Sequence, residues 1–225
     1  MKKIIILLLI IPSSLFCQIN DNLSSVYLEI KETTDGWLDV FPNLIPIGWS
    51  DDGKFAYKIT MCDDMCGCCT DGVSIINTIT DKQVQYLDFG EGGGQFGEIS
   101  KNDSIMEVRK TLKRNNIIIG SSGKFIKSNK INNYNIILNQ ERIKSNSEWG
   151  YGIEYSLIVG NYDGYKTVSK GIIEDNEIDL QYLGYFKSPF ENRIIILFSS
   201  CYRGIEQTDY YSLKFVGCSL NPKTF

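Results

Sequence analysis

The sequence predicts a mainly-β protein, an antiparallel sandwich or a set of blade-like sheets, with one short α-helix. Three observations support this fold class. Residues 53–61 alternate between apolar and polar side chains, which is typical of a strand with one buried face. Residues 194–198 are apolar at every position, which predicts a central strand covered on both faces. Residues 103–114 carry an apolar stripe at helical spacing, formed by Ile105, Val108 and Leu112.

The remaining elements follow from turn chemistry and further alternation. Residues 73–80 and 83–89 flank Asp81-Lys82, which predicts a tight hairpin, and residues 90–97 form a glycine-rich loop. Asn102 or Asp103 caps the predicted helix, and Asn115-Asn116 ends it. The C-terminal third is predicted to form five successive strands, at residues 152–159, 165–173, 178–185, 193–201 and 210–218.

The N-terminus has the pattern of a cleavable signal peptide. Lys2 and Lys3 precede an apolar run over residues 4–11, which is too short to span a bilayer, since that takes roughly 20 residues. We expect cleavage after Cys17, so that residues 18–225 form a single mainly-β domain in the periplasm or outside the cell. The competing interpretation makes Cys17 the lipid-anchored first residue, although Phe16 is larger than a lipoprotein signal favours.

Composition restricts the function classes. The chain holds 27 acidic against 23 basic side chains, which argues against nucleic acid as a partner. It contains no histidine, which excludes Ser-His and Cys-His nucleophile pairs and His-ligated zinc. No later stretch is long and apolar enough for a transmembrane span, and we expect no cofactor. Paired carboxylates of a glycosidase type are not identifiable from spacing alone.

The most unusual segment is a cysteine cluster between two predicted strands, formed by Cys62, Cys66, Cys68 and Cys69. Export favours disulfides, and of the three pairings we favour Cys62–Cys68 with Cys66–Cys69, because adjacent cysteines close strained rings. The alternatives are a thiolate metal site, whose spacing does not match a zinc ribbon, and a redox site, whose flanking acids raise a thiol pKa. Cys201 and Cys218 lie at opposite ends of a predicted hairpin, so we expect both to remain thiols.

A weak internal repeat suggests where a binding site lies. Residues 49–57 and 187–196 both read as serine, a turn, a basic residue and an apolar strand. If strands 53–61 and 193–201 are equivalent, the loops that follow them leave the same end of the fold, and loops on a rigid scaffold often bind. The predicted binding surface is therefore formed by acidic residues of the cysteine-rich loop and charged residues of the later loop: Asp63, Asp64, Asp71, Arg203 and Glu206.

The order of these segments resembles a family of predicted secreted bacterial proteins of unknown function. The residues that carry the resemblance are Trp49 to Tyr57, the Ile-rich strand 73–79, Ser188-Pro189, residues 193–197 and Arg203-Gly204-Ile205-Glu206, within roughly residues 45–218. The resemblance implies export and a β fold, and it implies no activity. We therefore expect an exported, non-enzymatic protein that binds an envelope or extracellular partner or a small ligand. The alternative is a metal-binding or redox protein built on the cysteine cluster.

Overall fold

The computed structural model describes residues 43–63, 68–88, 101–144, 151–162, 164–174, 177–203 and 209–221. In this part of the chain, thirteen strands form three antiparallel sheets, and one helix accompanies them. The predicted fold class, mainly β with one short helix, is confirmed. The expected signal peptide and its cleavage site lie outside the described residues.

The first sheet has the strand order β4-β3-β2-β1-β5. Its strands are β1 (Asn43–Trp49), β2 (Lys54–Asp63), β3 (Cys68–Asn77), β4 (Lys82–Asp88) and β5 (Ile118–Ile119). The helix α1 (Lys101–Arg114) lies between β4 and β5 along the chain. It begins two residues before the predicted start and ends where predicted, because Asn116 adopts a positive φ of 57° and Ile117 N donates to Leu112 O at 2.9 Å.

Two further sheets follow. The middle sheet has the order β13-β12-β11-β6, and the last sheet has the order β10-β9-β8-β7. The middle sheet contains β6 (Phe125–Ile126), β11 (Glu177–Lys187), β12 (Arg193–Arg203) and β13 (Asp209–Ser219). The last sheet contains β7 (Lys130–Ile131), β8 (Tyr134–Lys144), β9 (Tyr151–Gly160) and β10 (Tyr165–Glu174).

Strand β12 explains how the sheets stack. Ile194, Ile196 and Phe198 belong to a core shared with the last sheet, whereas Ile195 and Leu197 belong to a core shared with the first sheet. Successive strand residues lie on opposite faces, so a run of apolar residues requires cover on both sides. The middle sheet therefore lies between the other two, and the prediction of a doubly covered strand at residues 194–198 is confirmed.

The helix forms a fourth layer on the outer face of the first sheet. Leu112 of α1 and Ile117, which follows it, pack against Ala56 and Ile75, and all four are buried. Because Ala56 and Ile75 alternate with the residues that face the middle sheet, the first sheet is also covered on both faces in its centre. The layers run in the order helix, first sheet, middle sheet, last sheet.

The hairpin predicted around Asp81-Lys82 is present with a longer turn. Strand β3 ends at Asn77 and β4 begins at Lys82, so the turn takes residues 78–81 rather than two residues. Thr78 leaves the strand because its N–H and its hydroxyl both donate to Gly53 O, at 2.9 and 2.6 Å. Asp81 completes the turn with a positive φ of 55°. The contact of Thr78 with Gly53, in the turn before β2, therefore determines the length of the β3–β4 turn.

This longer turn docks the first sheet onto the edge of the middle sheet. Asp81 Oδ1 accepts a hydrogen bond from Gly217 N at 2.6 Å, and Arg193 Nη1 donates to Thr78 O at 3.1 Å. Gly217 allows the close approach, since a Cβ at this position would lie 1.8 Å from Thr78 O. Backbone cannot swing aside as a flexible side chain does, so a larger residue at position 217 has to separate the two sheets.

We expect Gly217→Ala to lower the free energy of unfolding by about 1–3 kcal/mol, the usual cost of overpacking. Urea unfolding measures this change. Gly171→Ala is the matched control, because it is also a strand glycine and the atoms nearest its added Cβ belong to the Tyr155 side chain, the closest at 3.3 Å. Equal stability of the Gly217→Ala variant and the wild type would contradict the proposed docking contact.

Candidate functional site

The two copies of the internal repeat form turns that share one hydrogen bond, from the serine N–H to the carbonyl oxygen of the basic residue. Ser50 N donates to Lys54 O, and Ser188 N donates to Arg193 O, each at 2.9 Å. In each turn an acidic residue pairs with the basic residue two positions later. Lys54 binds Asp52, and Arg193 Nε lies 3.1 Å from Glu191 Oε1. The weak sequence repeat therefore corresponds to a shared turn structure at the starts of β2 and β12.

These two turns lie side by side. A Cβ added to Gly53 would lie 3.0 Å from Glu191 Oε1 of the other turn. Gly53 has a positive φ of 83°, a conformation that glycine adopts without strain. Strands β2 and β12 therefore begin at the same end of the stacked sheets, which we call the turn end.

Aromatic contacts show that β2 and β12 then run in the same direction. The Phe55 ring lies 5.3 Å from that of Phe186, which pairs with Ile195 of β12. Two residues further along β2, the Tyr57 ring stacks on Phe215 at 4.4 Å, and Phe215 pairs with Leu197. A step of two residues along β2 thus matches a step of two residues along β12. The hairpins that follow both strands leave the sheets at the end opposite the turn end.

Strand register places Asp63 and Arg203 on facing sides of the two sheets. Phe55, Tyr57 and Ile59 pack towards the middle sheet, and the β2–β3 register continues without a bulge to Asp63. On β12, Ile195 and Leu197 pack towards the first sheet, and the β12–β13 register continues without a shift to Arg203. By alternation, Asp63 belongs to the set of β2 positions facing the middle sheet, and Arg203 to the set of β12 positions facing the first sheet.

The other predicted surface residues divide into two groups. Asp71 pairs with Thr60, and by alternation it lies on the opposite face of the first sheet, the face that carries Ala56 and α1. The register therefore separates Asp71 from Asp63. Asp64 and Glu206 lie outside the described residues, and so does Cys66.

One charged residue at this end was missed in the sequence. Asp209 pairs directly with Arg203 in the β12–β13 ladder. Opposite charges at directly paired positions stabilise a sheet modestly. The predicted strands 193–201 and 210–218 both stop short of this pair, and alternation alone fixes neither the length of the turn nor the exact register. We call Asp63, Arg203 and Asp209 together the loop-end surface.

The cysteine cluster has a defined backbone register. Cys62 pairs with Cys69, and Cys68 pairs with Asp63. Cys68 and Cys69 are successive strand residues and so lie on opposite faces of the hairpin. Cys66 lies outside the described residues, so the thiolate metal site and the redox site stay predictions.

Cys201 and Cys218 lie at opposite ends of the β12–β13 hairpin, as predicted. Cys201 pairs with Tyr211 and Cys218 with Ile194, and neither is in a disulfide. Cys218 is 2% exposed in the core between the middle and last sheets. Burial raises the pKa of the Cys218 thiol, which makes it a poor nucleophile at neutral pH. Cys218 therefore packs as an apolar residue.

A separate polar groove of about 440 Å³ lies where the last sheet meets the middle sheet. The residues that line it are Gln140, Glu141, Arg142, Ile153 and Asp179. The side-chain amide of Gln140 accepts a hydrogen bond from Leu180 N at 2.9 Å and donates one to Leu180 O at 3.1 Å. It therefore satisfies both backbone groups of Leu180 in β11. Its Nε2 also lies 2.6 Å from Asp179 Oδ1. These hydrogen bonds join the last sheet to the middle sheet, so Gln140 has a structural role in the groove. Asp179 is the acceptor of one of them.

Comparison with known proteins supplies no relative. No family model matches the chain, and neither the curated proteins nor the solved structures contain a match. Within the described residues, no helix has both the length and the apolar character required to cross a membrane.

Proposed function

We propose that this chain is an exported envelope protein that binds a partner or a small ligand through its loop-end surface and catalyses no reaction. The observation that carries the proposal is the common direction of β2 and β12, which begin side by side and send their following hairpins from one end of the stacked sheets. Loops held at one end of a rigid β scaffold are a frequent location of binding residues.

Charge at the loop-end surface suggests the kind of group that binds there. Arg203 is flanked by Asp209 on the paired strand, and Asp63 lies at the same end of the facing sheet. A guanidinium group binds carboxylate or phosphate with two parallel hydrogen bonds. We propose that Arg203 binds an anionic group of the ligand or an acid of the other hairpin, and that the neighbouring carboxylates orient it.

One property of the sequence and one of the structure support a binding role over catalysis. The absence of histidine removes the commonest general base of hydrolases. Two acidic residues line the polar groove, Glu141 and Asp179, and Asp179 accepts a hydrogen bond from Gln140. Export rests on the charged and apolar pattern of residues 2–17, and membership of the secreted family resembled by residues 45–218 is part of the same proposal.

We expect the exported protein to begin at Gln18, unmodified or cyclised to pyroglutamate. Cleavage after Cys17 has this consequence, because Phe16 disfavours lipid transfer to the cysteine. Intact mass spectrometry of protein recovered from the periplasm or medium measures it. A diacylglycerol adduct on Cys17, or recovery of the whole chain from the cytoplasm, would contradict export by simple cleavage.

We expect Arg203→Ala to weaken partner binding by about 10- to 100-fold, the usual cost of losing a charge-assisted hydrogen bond. The mature protein is immobilised, partners are captured from envelope extract and culture medium, and the affinity of each is measured by calorimetry. Lys82→Ala is the matched control, since it removes the same charge from an exposed residue beside the turn end. Equal binding by the wild type and both variants would exclude the loop-end surface.

A further inference from the structure

The end of the β2–β3 hairpin places two cysteines directly opposite each other. The register runs through ten consecutive pairs without a bulge, from Lys54 and Asn77 to Asp63 and Cys68, and Cys62 and Cys69 form the ninth pair. Directly paired residues of antiparallel strands have Cα atoms about 4.5–5.5 Å apart. Disulfides span Cα separations of about 4.4–6.8 Å. The register therefore places the two Cα atoms at a separation that a disulfide can span.

We propose that Cys62 and Cys69 form a cross-strand disulfide that closes the end of this hairpin. The pairing differs from the one that spacing alone favoured, Cys62 with Cys68. In the register Cys68 pairs with Asp63, so Cys62 and Cys68 lie on opposite faces of the two-stranded ribbon. A bond between them has to pass from one face to the other or break the last pairs of the ladder.

A bond between the adjacent residues Cys68 and Cys69 is also disfavoured. Cys68 and Cys69 are neighbours in β3, and a bond between them closes a strained ring of very few atoms. Cys69 is then committed to Cys62, which is the residue facing it across the ladder. The proposal concerns this pair alone and assigns no partner to the remaining cysteine of β3.

Formation of the bond is a two-electron oxidation. The thiols of Cys62 and Cys69 lose two protons and two electrons, and a sulfur–sulfur bond forms between them. A disulfide oxidant accepts the electrons and protons, and its own sulfur–sulfur bond breaks to give two thiols. In the cell this step rests on export, since an oxidising compartment supplies such oxidants. In solution glutathione disulfide supplies the same chemistry.

The disulfide would fix the position next to Asp63. Asp63 follows Cys62 directly, and Cys69 is adjacent to the residue that pairs with Asp63. Closing the ladder one pair before its end prevents the last strand residues from fraying. The bond thus gives a structural reason for cysteines beside the loop-end surface, and it holds whether or not that surface binds a ligand.

Two double variants of the mature chain test the pairing. Cys66→Ser/Cys68→Ser leaves Cys62 and Cys69 in the hairpin, whereas Cys66→Ser/Cys69→Ser leaves Cys62 and Cys68 and serves as the matched control. Each reduced variant is equilibrated with glutathione and glutathione disulfide, quenched with acid, alkylated and weighed intact. We expect the first variant to close its disulfide at an oxidised-to-reduced glutathione ratio at least tenfold lower than the control requires. Equal ratios, or easier oxidation of the control, would overturn the proposal.

A measurement on the wild type removes any dependence on the folding of the variants. Cyanogen bromide cleaves after Met61 and Met65, which isolates Cys62 on a short fragment. Tandem mass spectrometry of the non-reduced digest then identifies its partner, and we expect Cys69. Linkage of Cys62 to another cysteine, or a stoichiometric zinc or copper ion that survives chelation, would contradict the bond. Neither outcome depends on the Arg203→Ala binding result, so the two proposals fail separately.

Discussion

Burial of β12 on both faces is the constraint on which the rest of the structure depends. Five consecutive apolar residues, 194–198, are at most 2% exposed, and their side chains alternate between two cores. Burying one such side chain fully contributes about 1.5–3 kcal/mol, so the five together contribute on the order of 10 kcal/mol. That matches the whole net stability of a typical domain, about 5–15 kcal/mol. The chain must therefore supply a sheet on each side of β12.

The position of β12 also determines where the hairpins lie. The first sheet has to cover one face of the middle sheet, and the contacts among Gly53, Glu191, Arg193 and Thr78 fix their relative position at the turn end. Once β2 and β12 start together and run the same way, their following hairpins share the other end. At the turn end the two sheets dock, and two ion pairs form there, Lys54 with Asp52 and Arg193 with Glu191. The loop end is the surface that we propose for contact with a partner.

Much of the fold was predictable because strand and helix periodicity is local. The alternation of residues 53–61, the helix near 103–114 and the doubly covered strand at 194–198 all follow from which residues need burial. The turn at residues 78–81 was not predictable, since Thr78 is drawn out of its strand by Gly53, a residue distant in sequence. The order of the three sheets was not predictable for the same reason, because it depends on long-range packing.

The candidate site was predictable in part. The internal repeat corresponds to two turns that share a hydrogen bond from the serine N–H to the carbonyl oxygen of the basic residue, and these turns precede β2 and β12. The strand register determined pairings that residue spacing alone could not. It places Asp71 on the face of the first sheet that carries α1, pairs Arg203 with Asp209, and places Cys62 opposite Cys69. A shift of one residue reverses the face of every side chain in a strand, so such pairings require knowledge of exact hairpin lengths.

Amide hydrogen exchange of the native protein tests the central role of β12 most directly. If both faces of this strand are buried between sheets, the amides of Ile194–Phe198 exchange only on global unfolding and are among the slowest in the protein. The amides of β4 and β10, which lie at sheet edges, exchange earlier through local opening. Exchange of 194–198 at the rate of these edge strands would contradict the account.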